Sequence, residues 1–220
     1  MIRIFLITLV VFISGCATTS LTPEPISIAK LNDKTGIVFG TFSRDTKTSK
    51  YYSQTFYFRN VQTGQKYRIH SQPEFNIFSG KTPDDFNTGD SHGALFAFTL
   101  PAGKYTFDNF NLYRSTGYSY QYWSSKTPYS IPFEVVGNKI KYLGEIKLVA
   151  MTGKNLFGIR VPAGGVWVIT DQQKRDFPLI KNKHPEVAID QVIISVPDRE
   201  EVATPLVILP SEQKKKDKGI

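Results

Sequence analysis

The chain has 220 residues, with 27 Lys and Arg against 19 Asp and Glu and a formal net charge of +8. Its one cysteine is Cys16, so no disulfide can form, no thiolate nucleophile remains further along, and no cysteine-based metal site exists. The three histidines, His70, His92 and His184, fall in separate segments without H-x-x-x-H or H-E-x-x-H spacing, which argues against a zinc site.

The chain opens on Met1-Ile2-Arg3, continues through apolar and hydroxyl residues from Ile4 to Ile13, and reaches Ser14-Gly15-Cys16. A short basic start, a brief apolar run and small residues before a cut are the parts of a secretory signal. Ten helical residues reach only about 15 Å, half a bilayer core, so the run is too short to span. Ile13-Ser14-Gly15-Cys16 resembles the lipobox of bacterial lipoproteins: an aliphatic residue, two small residues and a cysteine. The resemblance implies that residues 1–15 are a signal peptide and that the Cys16 sulfur takes a diacylglycerol. Ala17 stands where Asp would favour inner-membrane retention. The expected location is therefore the cell envelope, lipid-anchored, and the outer membrane in a Gram-negative cell.

Ala17 to Ile26 carries two prolines and no periodicity, and residues 16–35 read as the lipidated cysteine with a tether. A β domain is expected over 36–198. Gly36–Ser43 is a buried run. Gln54–Arg59 alternates around Phe56 and Phe58, and Gly93–Leu100 sets Phe96, Phe98 and Leu100 on one face. Lys104–Phe110 follows, then Ile131–Val136 with Phe133 and Val135 inward and Glu134 outward. Lys139–Val149 places Ile140, Tyr142, Ile146 and Leu148 on one face and Lys141, Glu145 and Lys147 on the other. Val166–Thr170 and Ile189–Val196 complete the set. Period-two alternation between turn residues predicts half-buried antiparallel strands. Val61–Gln65 and Val136-Gly137-Asn138-Lys139 read as hairpin turns. Leu100-Pro101-Ala102-Gly103 reads as a tight turn, and Val161-Pro162-Ala163-Gly164 as its repeat, through duplication or convergent turn chemistry. One helix is expected over 171–183, with Asp171 as N-cap and an i,i+4 pair to Arg175. The fold class is thus mainly β: an antiparallel β-sandwich with one short helix. Residues 199–220 form an extension ending in Lys214, Lys215, Lys216 and Lys218, a solvated basic tail or a contact for anionic lipid, phosphate-rich glycolipid or acidic cell-wall polymer; Pro205–Pro210 offers a segment that docks on the core.

Leu100-Pro101-Ala102-Gly103-Lys104-Tyr105, Pro132-Phe133-Glu134-Val135, Gly137 and Lys141-Tyr142-Leu143-Gly144-Glu145-Ile146 resemble motifs of uncharacterised bacterial envelope lipoproteins with a prealbumin-like, carboxypeptidase-regulatory-like β-sandwich. The resemblance spans about residues 36–150. It implies a sandwich and a non-enzymatic role, and it carries over no catalytic residue.

Chemistry-bearing groups are sparse. Asp90-Ser91-His92 holds three triad residue types, but a triad converges from separate segments. Asp84 to Asp90 gathers oxygen ligands without calcium-loop spacing, and reads as a polar turn. Glu134 and Glu145 sit on expected outward faces, opposite general acid–base work. No cofactor is called for. The distinctive stretch is 113–129, where Tyr113, Tyr118, Tyr120, Tyr122, Trp123 and Tyr129 stand among Ser, Thr, Gly and Gln with two cations and no acid. This is the composition of binding loops, though the same residues would serve to close one end of a sandwich. Expected partners are a membrane through the N-terminal lipid and an envelope protein, glycolipid or cell-wall polymer. Nucleic acid is excluded by export, despite the basic charge. The function expected is an envelope-anchored structural or interaction protein, with a carbohydrate- or small-ligand-binding module using the 113–129 loop as the alternative.

Overall fold

The computed structural model describes residues 20–46, 53–71, 75–76, 80–81, 84–115, 120–127, 130–154, 156–198, 202 and 205–210. Cys16, Tyr118, Tyr129 and the lysines of the tail lie outside the described residues.

The chain is mainly β and folds as two facing sheets with one α-helix. Its strands are β1 (Glu24–Pro25), β2 (Thr35–Asp45), β3 (Ser53–Asn60), β4 (Lys66–Ser71), β5 (Phe75–Asn76), β6 (Gly80–Lys81), β7 (Phe86–Asn87), β8 (Ser91–Pro101), β9 (Gly103–Ser115), β10 (Tyr120–Ser124), β11 (Ile131–Val135), β12 (Ile140–Lys154), β13 (Arg160–Thr170), β14 (Val192–Ile194) and β15 (Val207–Ile208), with helix α1 (Gln173–Lys183) before β14. One sheet runs β1-β8-β2-β12-β13-β15, with β14 beside β12 and β7 beside β8. The other runs β10-β9-β3-β4, with β11 also on β9; β5 and β6 pair with each other.

The sandwich is not wholly antiparallel. β2 and β12 run parallel at the centre of the larger sheet, and β14 and β15 join it parallel to β12 and β13. The reason lies in the turn at Gly137-Asn138, where Asn138 takes φ 55°. Expected to close a hairpin, it instead carries the chain from one sheet to the other: β11 pairs with β9, and β12 enters beside β2. A parallel partner needs such a crossover. The repeat expected at Val161–Gly164 is likewise no turn. It lies inside β13, where the register against β12 slips between Ala150 and Thr152 and Gly164 takes φ 92°. The Val61–Gln65 turn does join β3 to β4 as a hairpin.

Strand pairing extends beyond 36–198. Leu21 bridges to Tyr67, Glu24 pairs with Thr99, and Ile26, Ile28 and Leu31 pack on a buried cluster; Val207 and Ile208 pair with Trp167 and Val168. Ile26, Ile28 and Leu31 are partly buried and Val207 and Ile208 buried, although these short segments carry little pattern of their own.

Between the sheets lies an aromatic core. Phe42 stacks on Phe56 at 3.7 Å, and Phe107 and Phe110 fill the space around them with Trp167 and Phe133. A second cluster covers the outer face of the larger sheet: Ile37, Phe39, Ile140 and Tyr142 beneath Phe177 and Ile180 of α1. The spacing of Asp176, Phe177 and Ile180 puts all three on the helix face that meets the sheet.

One irregularity reorders the pattern of β12. Tyr142 pairs with Phe39 and Glu145 with Thr41, so Leu143 and Gly144 together stand opposite Gly40. This is a β-bulge, and Gly144 serves it with φ 84°. An extra residue switches the sides of everything after it. Ile140 and Tyr142 therefore face the helix, while Leu143, Ile146 and Leu148 face the other sheet. Glu145, expected outward and solvated, is 2% exposed.

Candidate functional site

The bulge delivers Glu145 to the helix side, where it meets Arg175. Arg175 does not pair with Asp171 as its spacing suggested. Its Nε donates to Asp176 Oδ1 at 2.7 Å, Nη1 to Glu145 Oε1 at 2.9 Å and Nη2 to Thr41 Oγ1 at 2.8 Å, with the guanidinium 3.7 Å above the Phe86 ring. Asp171 is also not the N-cap. Gln172 occupies that position, while the Asp171 carboxylate accepts from Gln173 N–H at 3.0 Å. Asp176 Oδ2 accepts from Tyr142 Oη at 2.7 Å and Thr41 Oγ1 at 3.0 Å, and Glu145 accepts from Ser43 at 2.7 Å and Thr170 at 3.0 Å. Burial opposes the Arg175 charge, but the bonds to Asp176 and the proximity of Glu145 hold its ionisation above the usual range. Burial and the adjacent Asp176 push the Tyr142 hydroxyl well above the ordinary tyrosine value. Both carboxylates are engaged by several donors, so this cluster clamps α1 to the sheet.

The other polar groupings are dispersed in the same way. Strand alternation separates Ser91, whose Oγ lies 3.2 Å from Thr88 Oγ1, from His92, whose Nδ1 lies 3.7 Å from Asp84. Asp84 also takes Arg44 at 3.0 Å, and Asp85 accepts from Leu95 N–H and pairs with Lys183. Among the described residues no group of three His, Cys, Asp or Glu side chains is placed to hold a metal ion. Glu134 is exposed and lies 3.4 Å from Lys141.

The aromatic stretch takes a definite form. Among the described residues, 113–115 and 120–124 lie on the paired strands β9 and β10, with Tyr122 opposite Tyr113 and Trp123 opposite Leu112. Period-two geometry sends Tyr120 and Tyr122 to the outer face, where they are 70% and 77% exposed. The Tyr113 ring lies between them, 6.0 Å from Tyr120 and 5.0 Å from Tyr122. Trp123 parts from this group. It points inward, 5.5 Å from Phe110, against the main core. Its ring rests on Gly164, where an added Cβ would come within 2.3 Å of it. The proposed surface therefore loses Trp123 to packing and retains Tyr113, Tyr120 and Tyr122.

Next to the tyrosines the sheet presents polar groups in register. A shallow depression is lined by Ser53, Thr55, His70, Asn111, Tyr113 and Tyr122. Within it Thr55 Oγ1 lies 2.7 Å from His70 Nδ1, and Asn111 Nδ2 donates to Tyr57 Oη at 3.2 Å. The result is a face with three tyrosine rings at one end and amide, hydroxyl and imidazole groups beside them. Thr55, Tyr57 and His70 escaped the sequence reading, although their positions on alternating strands β3 and β4 carry the same outward parity.

The sequence matches no protein-family model and no curated protein. Among solved structures it is similar to a leucine-rich repeat protein from Bacteroides thetaiotaomicron, with 14% identity over 52% of this chain and a TM-score of 0.33. The chain spans 14% of the length of that protein. Among the described residues no helix is long and apolar enough to cross a membrane.

Proposed function

We propose that this chain is a lipid-anchored envelope protein of interaction type, without catalytic activity, that holds a partner on the tyrosine face of its smaller sheet. The observation that carries the reading is the display of Tyr120 and Tyr122, each more than two-thirds exposed and braced by Tyr113. Large aromatic side chains have few torsions to immobilise and dominate interface energetics, so a protein that leaves two adjacent ones in solvent has a contact to make with them. The non-catalytic reading is supported by Glu145 and Asp176, whose carboxylates are committed to α1, and by the separation of Ser91 from His92. Anchoring is supported by Ile13-Ser14-Gly15-Cys16, and the resemblance of Leu100–Tyr105 and Lys141–Ile146 to envelope lipoproteins agrees with it.

Two measurements test this. Photo-crosslinking residues at positions 120 and 122 should capture a discrete partner in cells, while the same residue at exposed position 134 should not; equal or absent capture at all three refutes the surface. Cys16→Ser should abolish incorporation of a fatty-acid probe, and unchanged labelling refutes the anchor.

A second reading, a saccharide-binding face, is favoured by Asn111, His70 and Thr55 beside the tyrosine rings, since sugars need a stacking platform with hydrogen-bond groups at its edge. Trp123 faces the core, so its fluorescence is a poor reporter here. Retardation of the wild type, but not of Tyr120→Ala/Tyr122→Ala, in a gel containing cell-wall glycan would select this reading.

A further inference from the structure

A different part of the surface carries a different signature. Beyond Leu148, the last residue of β12 to pair with β2 among those described, β12 continues to Lys154 and turns back into β13 at Arg160. Six residues of strand extend this two-stranded ribbon by about 20 Å. Its tip is apolar. Met151 is 41% exposed, Leu156 101%, Phe157 85% and Ile159 60%, and Gly158 at φ 75° makes the turn between them. Apolar residues scattered singly over a surface need no explanation, but three gathered on one turn, with Met151 behind them on the strand, do.

Within the ribbon itself the charge is of one sign. Lys154 and Arg160 are paired positions at the base of the turn, and Lys147 precedes them on β12. From Ile146 to Thr170 the sequence has these three cations and no acidic residue. Side chains of Leu, Phe and Ile with the exposed Lys154 just behind them match the layering of a bilayer surface: acyl chains beneath, anionic headgroups above. A protein pocket would accept the apolar residues, but it would not call for a ribbon whose charges are all cationic behind them.

The tip also has a definite place in the molecule. Leu21, where the described chain begins to pair, bridges Tyr67 next to the 61–65 turn. That is the end of the sandwich at which β2 and β12 start, and the tip lies at the other end. Contact through the tip is thus separate from an anchor at Cys16 and does not rest on it.

We propose that the β12–β13 tip is a membrane-docking element that inserts Leu156, Phe157 and Ile159 into a lipid surface bearing anionic headgroups, with Lys154 contacting those headgroups. The test uses a chain beginning at Ala17, which carries no lipid. Among the described residues the apolar clusters lie between Ile26 and Ile208, all of which this chain keeps. It is sedimented with vesicles of equimolar phosphatidylglycerol and phosphatidylcholine, and with vesicles of phosphatidylcholine alone. The wild type should partition onto the anionic vesicles at least about tenfold better than Leu156→Ser/Phe157→Ser, because two large apolar side chains leave the interface. Lys154→Gln should weaken binding by about fivefold and flatten its dependence on salt. Both variants should melt with the wild type, since Lys154, Leu156 and Phe157 are exposed. Removal of 211–220 serves as the control for the tail lysines and should leave most of the binding. The proposal is overturned if Leu156→Ser/Phe157→Ser partitions like the wild type, if removing the tail abolishes binding while the tip variants do not, or if the wild type ignores both kinds of vesicle.

Discussion

Replacing Arg175 by Met tests whether the buried cluster under α1 is the clamp described. The perturbation removes one guanidinium and leaves the rest of the side chain's length. In the native structure that guanidinium, 17% exposed, sits between Glu145 at 3% and Asp176 at 0%. Without it two carboxylates share a dry pocket, supported only by the hydroxyls of Ser43, Thr41, Thr170 and Tyr142. Removing one partner of a buried ion pair costs about 3–5 kcal/mol, because the charge left behind is uncompensated. The expected loss in unfolding free energy at pH 7 lies in that range. Urea unfolding of both proteins measures this directly. A deficit under about 1 kcal/mol at pH 7 would place the cluster with ordinary surface changes and refute a dry clamp.

Three further outcomes follow from the same geometry. Tyr142→Ala should cost about 3–5 kcal/mol, as it empties a site between Phe39 and Phe177 and strips Asp176 of a donor, whereas Tyr120→Ala/Tyr122→Ala should cost under about 1 kcal/mol; similar urea midpoints for the two would show that the tyrosine face is packing. Stability should hold steady up to about pH 10 and fall above it, because burial raises the hydroxyls of Tyr142, Tyr105 and Tyr67 and folding therefore favours their protonated forms; a Tyr142→Phe variant should lose less on the alkaline side, and an unchanged profile would be the contrary result. Gly144→Ala should destabilise by about 1–3 kcal/mol or more, since the residue sits at φ 84° and a Cβ would meet the Thr170 carbonyl at 2.8 Å; a neutral effect on thermal unfolding would mean that the bulge relaxes freely.

The strands were legible wherever alternation ran unbroken. Phe56 and Phe58, Phe133 and Val135, and the outward Glu134 stand where a period of two puts them. Alternation fails at a bulge, and β12 has one. Counting by twos from Ile140 groups Tyr142 with Ile146, but the extra residue at Leu143-Gly144 moves them to opposite sides of the sheet and carries Glu145 inward. Gly144 is the only local hint, and a glycine in a strand marks a bulge, a bend or a close approach without saying which. The choice was made by a distant partner, Arg175, which gives a buried Glu145 its counter-charge. Partners thirty residues away are outside the reach of periodicity.

The binding surface shows the same limit from the other side. Tyr120 and Tyr122 share a face because they recur at period two, and the same parity separates Trp123 from them. What the spacing could not supply is the cross-strand neighbour. Tyr113 braces the pair only because β10 folds back on β9 in one register, and Thr55, His70 and Asn111 become their neighbours only because β3 and β4 follow in that sheet. The β12–β13 tip reverses the case. Lys154, Leu156, Phe157, Ile159 and Arg160 lie within seven residues, so the juxtaposition is local and was present in the sequence; its meaning depended on whether those side chains were buried. An apolar run between strands is core when a sheet covers it and surface when none does, and the exposure of Leu156, Phe157 and Ile159 decides between the two.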